Sequence, residues 1–298
     1  MASLPAPLNL NAPGITPLSS AKQAAILMCP PDYFEVAYQI NPWMDAGVPL
    51  NLDLAQKQWL TLKQTLEQEA KTKIYTLPPA KGLPDLVFTA NAAFVYQDLA
   101  VIAHYKYPER QPEEPIARQW FEEQGFRIVT LPPTLYFEGA GDALIWNGYV
   151  FAGYGPRTKM ESHSWISRES GLPVLSLELV NPRFYHIDVC LCPLSDGHCL
   201  YFPEAFSHLS QLLIERTIPA DHLIRVSAEE ASHFACNAVN VGNVVVFNQG
   251  KLDNKSPNEL QGGLQDTLTE RGFRVIPLDL SEFLKSGGSA KCLTLRVG

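Results

Sequence analysis

Two stretches of this 298-residue chain, Glu122-Glu123-Gln124-Gly125-Phe126-Arg127-Ile128-Val129 and Thr269-Glu270-Arg271-Gly272-Phe273-Arg274-Val275-Ile276, read as the same object. Each is a helix end, a glycine suited to the C-cap, and an apolar strand. A repeat of this kind is weighed before single elements, because missing it mis-assigns the whole fold.

What surrounds the pair extends the repeat. Five polar clusters occur along the chain: Phe88-Thr89-Ala90-Asn91, Phe137-Glu138-Gly139-Ala140-Gly141-Asp142, Phe184-Tyr185-His186-Ile187-Asp188, Phe234-Ala235-Cys236-Asn237 and Ala290-Lys291-Cys292. From Asn91 to Asp142, Asp188, Asn237 and Cys292 the successive spacings are 51, 46, 49 and 55 residues. Four clusters open on Phe, and each is followed by an apolar strand: 94–96, 143–146, 191–194, 244–247 and 293–297. Helices are expected in front, over 55–70, 116–124, 162–170, 207–216 and 260–271.

Units that cannot bury their own apolar face must pack on neighbours. Five of them closing in a ring would aim their polar points at a common axis. The expected fold is therefore α/β, a five-bladed pseudo-symmetric α/β propeller, built as one domain over residues 23–298. A doubly wound sheet is the alternative that the spacing alone leaves open. Residues 1–22, rich in Ala, Pro, Leu, Asn and Ser, read as a flexible arm without the basic start and apolar run of a signal peptide.

Composition narrows the partners. Hydrophobic residues are 46% of the chain, enough for a sizeable core. With 23 Lys+Arg against 31 Asp+Glu the net charge is −8, which argues against nucleic acid and anionic lipid and leaves a cationic or zwitterionic small molecule. No run of about 18 apolar residues suggests a membrane span. Six cysteines, Cys29, Cys190, Cys192, Cys199, Cys236 and Cys292, are too few to staple so long a chain, so a reducing, cytoplasmic setting is expected. Cys190, Cys192, Cys199 and His198 fall close together but lack a recognised metal-ligand spacing. The oligomeric state is not legible.

The five clusters supply Asn91, Glu138, Asp142, His186, Asp188, Asn237 and Cys292. A thiolate is a nucleophile, an imidazole moves protons, and carboxylates hold a cation. Any one of them alone reads as a core residue; sharing one repeat position sets them apart. Ser286-Gly287-Gly288-Ser289-Ala290, just before Cys292, lets backbone approach a ligand closely.

In these residues the sequence resembles the guanidine-modifying superfamily, the pentein-type propellers that include arginine deiminases, dimethylarginine dimethylaminohydrolases and amidinotransferases. The resemblance is nearest to the arginine dihydrolase domain of cyanobacterial type. It rests on 26–32, 40–44, 88–92, 137–144, 153–157, 184–186, 235–241 and 287–297, and so spans nearly the whole chain after the arm. It implies hydrolysis of free L-arginine to ornithine, carbon dioxide and ammonia with no metal or organic cofactor. Cys292 would be the nucleophile and His186 the acid/base. Glu138 and Asp188 would hold the guanidinium, with Asp142 also at the axis. Arg110 and Arg157 would clamp the substrate carboxylate.

Two departures from the deiminase pattern bear on the product. Asn91 stands where deiminases carry Asp, and they lack the Asn41-Pro42-Trp43 stretch. An amide can hold the neutral ureido oxygen of citrulline, so Asn91, helped by Asn41, is expected to permit a second hydrolysis. The cyanobacterial proteins continue into a second catalytic domain, whereas this sequence ends at Gly298, so ornithine is the expected product. Arginine deiminase and dimethylarginine dimethylaminohydrolase are the competing activities. A non-catalytic binding propeller is the competing class.

Overall fold

The computed structural model describes residues 24–248 and 263–298. The arm expected over 1–22, and the start of the helix expected over 260–271, lie outside the described residues. The described chain forms five three-stranded sheets. Strands β1 (Ala25–Met28) and β2 (Lys73–Thr76) flank helix α1 (Leu52–Gln68). The second unit is β3 (Ala93–Tyr96), β4 (Leu99–Ile102), α2 (Glu113–Glu123) and β5 (Arg127–Val129). The third is β6 (Ala143–Trp146), β7 (Tyr149–Tyr154), α3 (Ser162–Ser170) and β8 (Val174–Glu178). Next come β9 (Leu191–Pro193), β10 (Cys199–Tyr201), α4 (His208–Thr217) and β11 (Leu223–Arg225). After the short α5 (Ala228–Ser232) the last full unit is β12 (Val239–Val241), β13 (Val244–Asn248), α6 (Leu264–Glu270) and β14 (Arg274–Leu278). A short α7 (Ser281–Leu284) and β15 (Leu295–Arg296) finish the chain.

One wiring rule generates all five sheets. An inner strand turns back antiparallel into a middle strand, and a helix then crosses to an outer strand parallel to the middle one. In the first sheet the inner strand comes from the far end of the chain: β15 pairs antiparallel with β1, Leu27 opposite Leu295, and β1 pairs parallel with β2. The two like-reading stretches land on equivalent ground. Gly125 (φ +79°) ends α2 before β5, and Gly272 (φ +85°) ends α6 before β14. Both glycines take the left-handed conformation that a C-cap favours.

Each crossover helix buries one stripe. In α1 it is Ala55, Gln58, Trp59, Leu62 and Leu66, spaced at three and four residues, and Asn51 caps its start by accepting from the Leu54 N–H at 3.0 Å. The helices expected over 55–70, 116–124 and 207–216 agree with α1, α2 and α4 to within three residues, 162–170 coincides with α3, and the end expected at 271 lies one residue past α6. The strand expected over 244–247 is present as the middle strand β13; the sequence reading did not name the inner strand β12, three residues long and interrupted by the polar Asn240.

A cavity of about 890 Å³ is lined by residues of the inner strand of every sheet, among them Phe94, Leu144, Leu191, Val239 and Leu295. Among the described residues no helix is long and apolar enough to cross a membrane.

Candidate active site

The polar clusters fold as tight turns that deliver the chain into each inner strand. Three contain a 3-10 turn, Thr89–Asn91, Gly139–Gly141 and Ile187–Val189; Asn237 and Cys292 stand at the corresponding turns before β12 and β15. These turns pack on one another, so residues far apart in sequence meet. Asn91, Glu138, Asp142, His186, Asp188, Asn237 and Cys292 are all buried.

Asn237 builds one half of the site. Its Nδ2 donates to Cys292 Sγ at 3.1 Å and to the Asp188 carbonyl at 3.0 Å, and its Oδ1 accepts from the Cys292 N–H at 3.2 Å. The thiol lies 3.7 Å from Asp188 Oδ2. Burial, then the Asp188 charge, push the Cys292 thiol far up; the Ser289 backbone, Lys291 and Asn237 pull it only part of the way back. Burial pushes the Asp188 carboxyl up to about 7, against the lowering effect of Lys291.

Glu138 builds the other half. Its Oε2 accepts from Arg157 Nη1 at 2.8 Å and meets His186 Nε2 at 2.7 Å. Burial alone would raise this carboxyl, but the Arg157 charge and the His186 contact hold it well below the usual carboxylate range. Burial drives His186 down to about 4 despite the adjacent Glu138. The site thus holds a neutral imidazole beside an ionised carboxylate, and a thiol. With Nε2 engaged, Nδ1 is the ring nitrogen left for proton transfer. It faces Gly141: a Cβ built there would lie 3.4 Å from Nδ1 and would overlap the Asn91 amide nitrogen, so only glycine admits both. Glu138 Oε1 is buried with no hydrogen-bond partner among the described residues.

Other expected residues take different places. Asp142 spends its oxygens on structure: Thr158 Oγ1 donates to Oδ2 at 2.6 Å and the Ile187 N–H to Oδ1 at 3.1 Å. Asn41 shapes its own turn, its Oδ1 accepting from the Trp43 and Met44 N–H groups while Nδ2 donates to the Ser286 carbonyl. Asn91 Oδ1 accepts from Arg110 Nη1 at 2.9 Å, and its Nδ2 donates to the Glu138 carbonyl at 3.2 Å. Arg110 also grips both Glu113 oxygens and the Asp85 carbonyl, which leaves a single N–H unused. Arg157, bound to Glu138 and to the Ile40 carbonyl, keeps three.

Cys292, Asn41, Asn91, Arg110 and Arg157 line a void of about 10 Å³, room for one water at most. Asp85 and Tyr185 line it too, and sequence reading passed over both. Asp85 accepts from Tyr38 OH (3.0 Å) and Ser286 Oγ (3.2 Å). Tyr185 OH donates to the Gly287 carbonyl at 2.5 Å, with Arg157 over its ring. The signal for Asp85 was its position three residues before Phe88, where Pro84-Asp85 reads as an ordinary turn. Among the described residues no cluster of three or more His, Cys, Asp or Glu is placed to hold a metal ion, Cys190, Cys192, Cys199 and His198 included.

Comparison with known proteins adds a second line. Residues 49–297 match the family model described as N,N dimethylarginine dimethylhydrolase, eukaryotic. The bifunctional arginine dihydrolase/ornithine cyclodeaminase ArgZ of Synechocystis sp. is 45% identical over 280 residues, 93% of this chain but 38% of that protein, so this chain spans little more than a third of that relative. The N(G),N(G)-dimethylarginine dimethylaminohydrolase of Mycobacterium tuberculosis is 41% identical over 270 residues, covering 91% of this chain and 84% of that protein. The solved N-terminal domain of ArgZ, a Cys-to-Ser variant bound to substrate, superposes with a TM-score of 0.86 over 92% of this chain and 98% of that one, at 45% identity.

Proposed function

The chain belongs to the N,N dimethylarginine dimethylhydrolase family, and within it we propose that the protein is an arginine dihydrolase: it hydrolyses free L-arginine to ornithine, carbon dioxide and two ammonia. The observation that carries this reading is the buried pairing of Cys292 Sγ with Asp188 at 3.7 Å, both fixed by Asn237. The 45% identity to ArgZ, itself named an arginine dihydrolase, supports the substrate. The inner strands that share one cavity, and the pairing of β1 with β15, support a closed five-bladed propeller over 23–298 as a single domain. Six unpaired thiols fit a cytoplasmic enzyme.

The guanidinium binds between Asp188 and the free Oε1 of Glu138 by charge-assisted hydrogen bonds. Its charge favours the thiolate, so the Cys292 proton passes to neutral His186 as the cation enters. The thiolate adds to the guanidinium carbon. The C–N bond breaks as His186 returns its proton to the departing ammonia, leaving an amidino thioether on Cys292. Water then gives a proton to His186 and adds to the same carbon; the C–S bond breaks and citrulline forms. In the second round Cys292 adds to the ureido carbon and a second ammonia leaves. Hydrolysis of the thiocarbamate yields a carbamate that loses carbon dioxide to give ornithine. Arg157, with three unused N–H groups, is the principal clamp for the substrate carboxylate and Arg110 a lesser one.

A second reading, hydrolysis of methylated arginines, is favoured by the 41% identity to the M. tuberculosis enzyme. Incubation with arginine, citrulline and dimethylarginine, with products identified by mass, separates the two. Cys292→Ser should abolish amine or ammonia release from every substrate; retained turnover would overturn the covalent route.

A further inference from the structure

The charges buried around the axis pair off unevenly. Arg110 serves Glu113 and lies 4.0 Å from Asp85, and Arg157 serves Glu138. Asp142 is satisfied by a hydroxyl and a backbone N–H. Asp188 has neither arginine. The titratable groups that act on Asp188 or feel its charge are Cys292, Tyr185, Asp142, Cys190, Cys192 and Lys291, and among these described residues only Lys291 is basic.

Lys291 is placed unusually for a lysine. Its Nζ is buried and makes no hydrogen bond among the described residues. Its backbone N–H donates to the Asn237 carbonyl at 3.2 Å, one residue before the Cys292 N–H donates to the Asn237 side chain. Consecutive residues therefore face opposite ways: Cys292 lines the small reaction void, and Lys291 lines the large axial cavity beside Leu191, Cys192 and Thr294. A buried ammonium without a hydrogen bond is costly unless an anion compensates it. Lys291 immediately precedes Cys292, whose Sγ lies 3.7 Å from Asp188, and its charge pulls that carboxyl down.

We propose that Lys291 is a positioning residue of the reaction, a fixed positive charge behind the Cys292–Asp188 pair that keeps Asp188 ionised for the incoming cation and lowers the cost of the thiolate. The proposal rests on the catalytic reading of Cys292 and Asp188 and adds to it a group that touches no substrate. It agrees with the direction in which Lys291 moves both neighbours, downward.

Lys291→Met and Lys291→Arg, in the full chain, test it by two measurements over pH 6–10. One is the rate at which iodoacetamide modifies Cys292, followed by peptide mass. The other is kcat/KM on arginine. In Lys291→Met the alkylation rate at any fixed pH should be about tenfold lower, one pH unit's worth. The acid limb of kcat/KM should move up. Lys291→Arg should restore both. Profiles of Lys291→Met that superimpose on wild type overturn the proposal, as does a slow enzyme that Arg does not rescue, since that is a packing role. Should the Met variant not fold, Lys291→Gln takes its place in the same assay. Alkylation does not require arginine to be the substrate, so a wild-type protein inert to arginine defeats the dihydrolase reading while the alkylation rate still decides the role of Lys291.

Discussion

Asn91 has an amide oxygen bound to Arg110 and one amide hydrogen bound to the Glu138 carbonyl, which leaves a single N–H for a ligand. Sequence reading gave this amide both an accepting and a donating role toward a ureido group; the Arg110 contact removes the accepting one. A lone donor still suits the neutral ureido oxygen, whereas an aspartate here would pair with Arg110 and offer none. Asn91→Asp should therefore release citrulline from arginine, with ornithine falling at least tenfold; unchanged ornithine and no citrulline, measured by mass, would refute this. Asp188 yields a pH prediction. Its carboxyl is raised to about 7, and only the ionised form holds a guanidinium, so kcat/KM, which reports the free enzyme, should fall as pH drops through about 7. An acid limb below pH 5 would show that Asp188 is already ionised by other means. Residue types were legible in the sequence because a thiol, an imidazole and carboxylates recur at one repeat position. Their partners were not, because Arg110 reaches Asn91 and Asn237 reaches Cys292 only through three-dimensional packing.

Helix α2 shows how an element rather than a residue sets the site. Its first residue, Glu113, accepts from Arg110 Nε at 3.0 Å and from Nη2 at 2.8 Å, and this grip aims Nη1 at Asn91. The sequence signal for this helix was its apolar spacing, which starts at Ile116 and so missed the functional first turn. Acidic side chains at a helix start read as dipole partners, and nothing in spacing says that one is buried on an arginine. Glu113→Gln breaks a buried pair by removing one partner, which costs about 3–5 kcal/mol. The melting temperature should fall by several degrees, and kcat/KM should fall further than KM alone explains because Asn91 loses its orientation. A variant with wild-type melting and kinetics would show that α2 merely packs. The same limit governs the strands. Val239-Asn240-Val241 is too short and too polar to announce itself, so the sequence shows the apolar Val244 to Phe247 strand but not the short strand β12 that precedes it.

At the scale of the molecule, the five-fold repeat was legible because polar turns, four of them opening on Phe, recur every 46 to 55 residues, and a glycine-capped helix end repeats at Gly125 and Gly272. The pairing of β1 with β15 was less so, since two short strands from opposite ends carry no mutual sequence signal. Burying so many titratable groups also gives the whole fold a pH dependence. Asp85, Asp142, Asp188 and Glu113 are raised by burial, so below their ordinary range they add stability that is lost as pH rises, for Asp188 and Glu113 through about 7. His163 and His186, driven down to about 4 by burial, act in the other direction: their contribution is present above pH 6.5 and is lost as pH falls toward 4, where the unfolded chain binds the protons. His163 lies outside the reaction centre, on Ser176 Oγ at 2.8 Å and the Gly153 carbonyl at 3.3 Å, so it can be changed separately. His163→Gln should be less stable than wild type at pH 7, having lost well-fitted hydrogen bonds. The gap should close as the pH is lowered, by about 2–3 kcal/mol between pH 6.5 and 4.5, because the variant carries no histidine to protonate on unfolding. Calorimetric melts across that range measure the difference directly. A gap independent of pH would mean that His163 binds its proton as readily in the folded protein as in the unfolded chain, and that the opposing acids act without its counterweight.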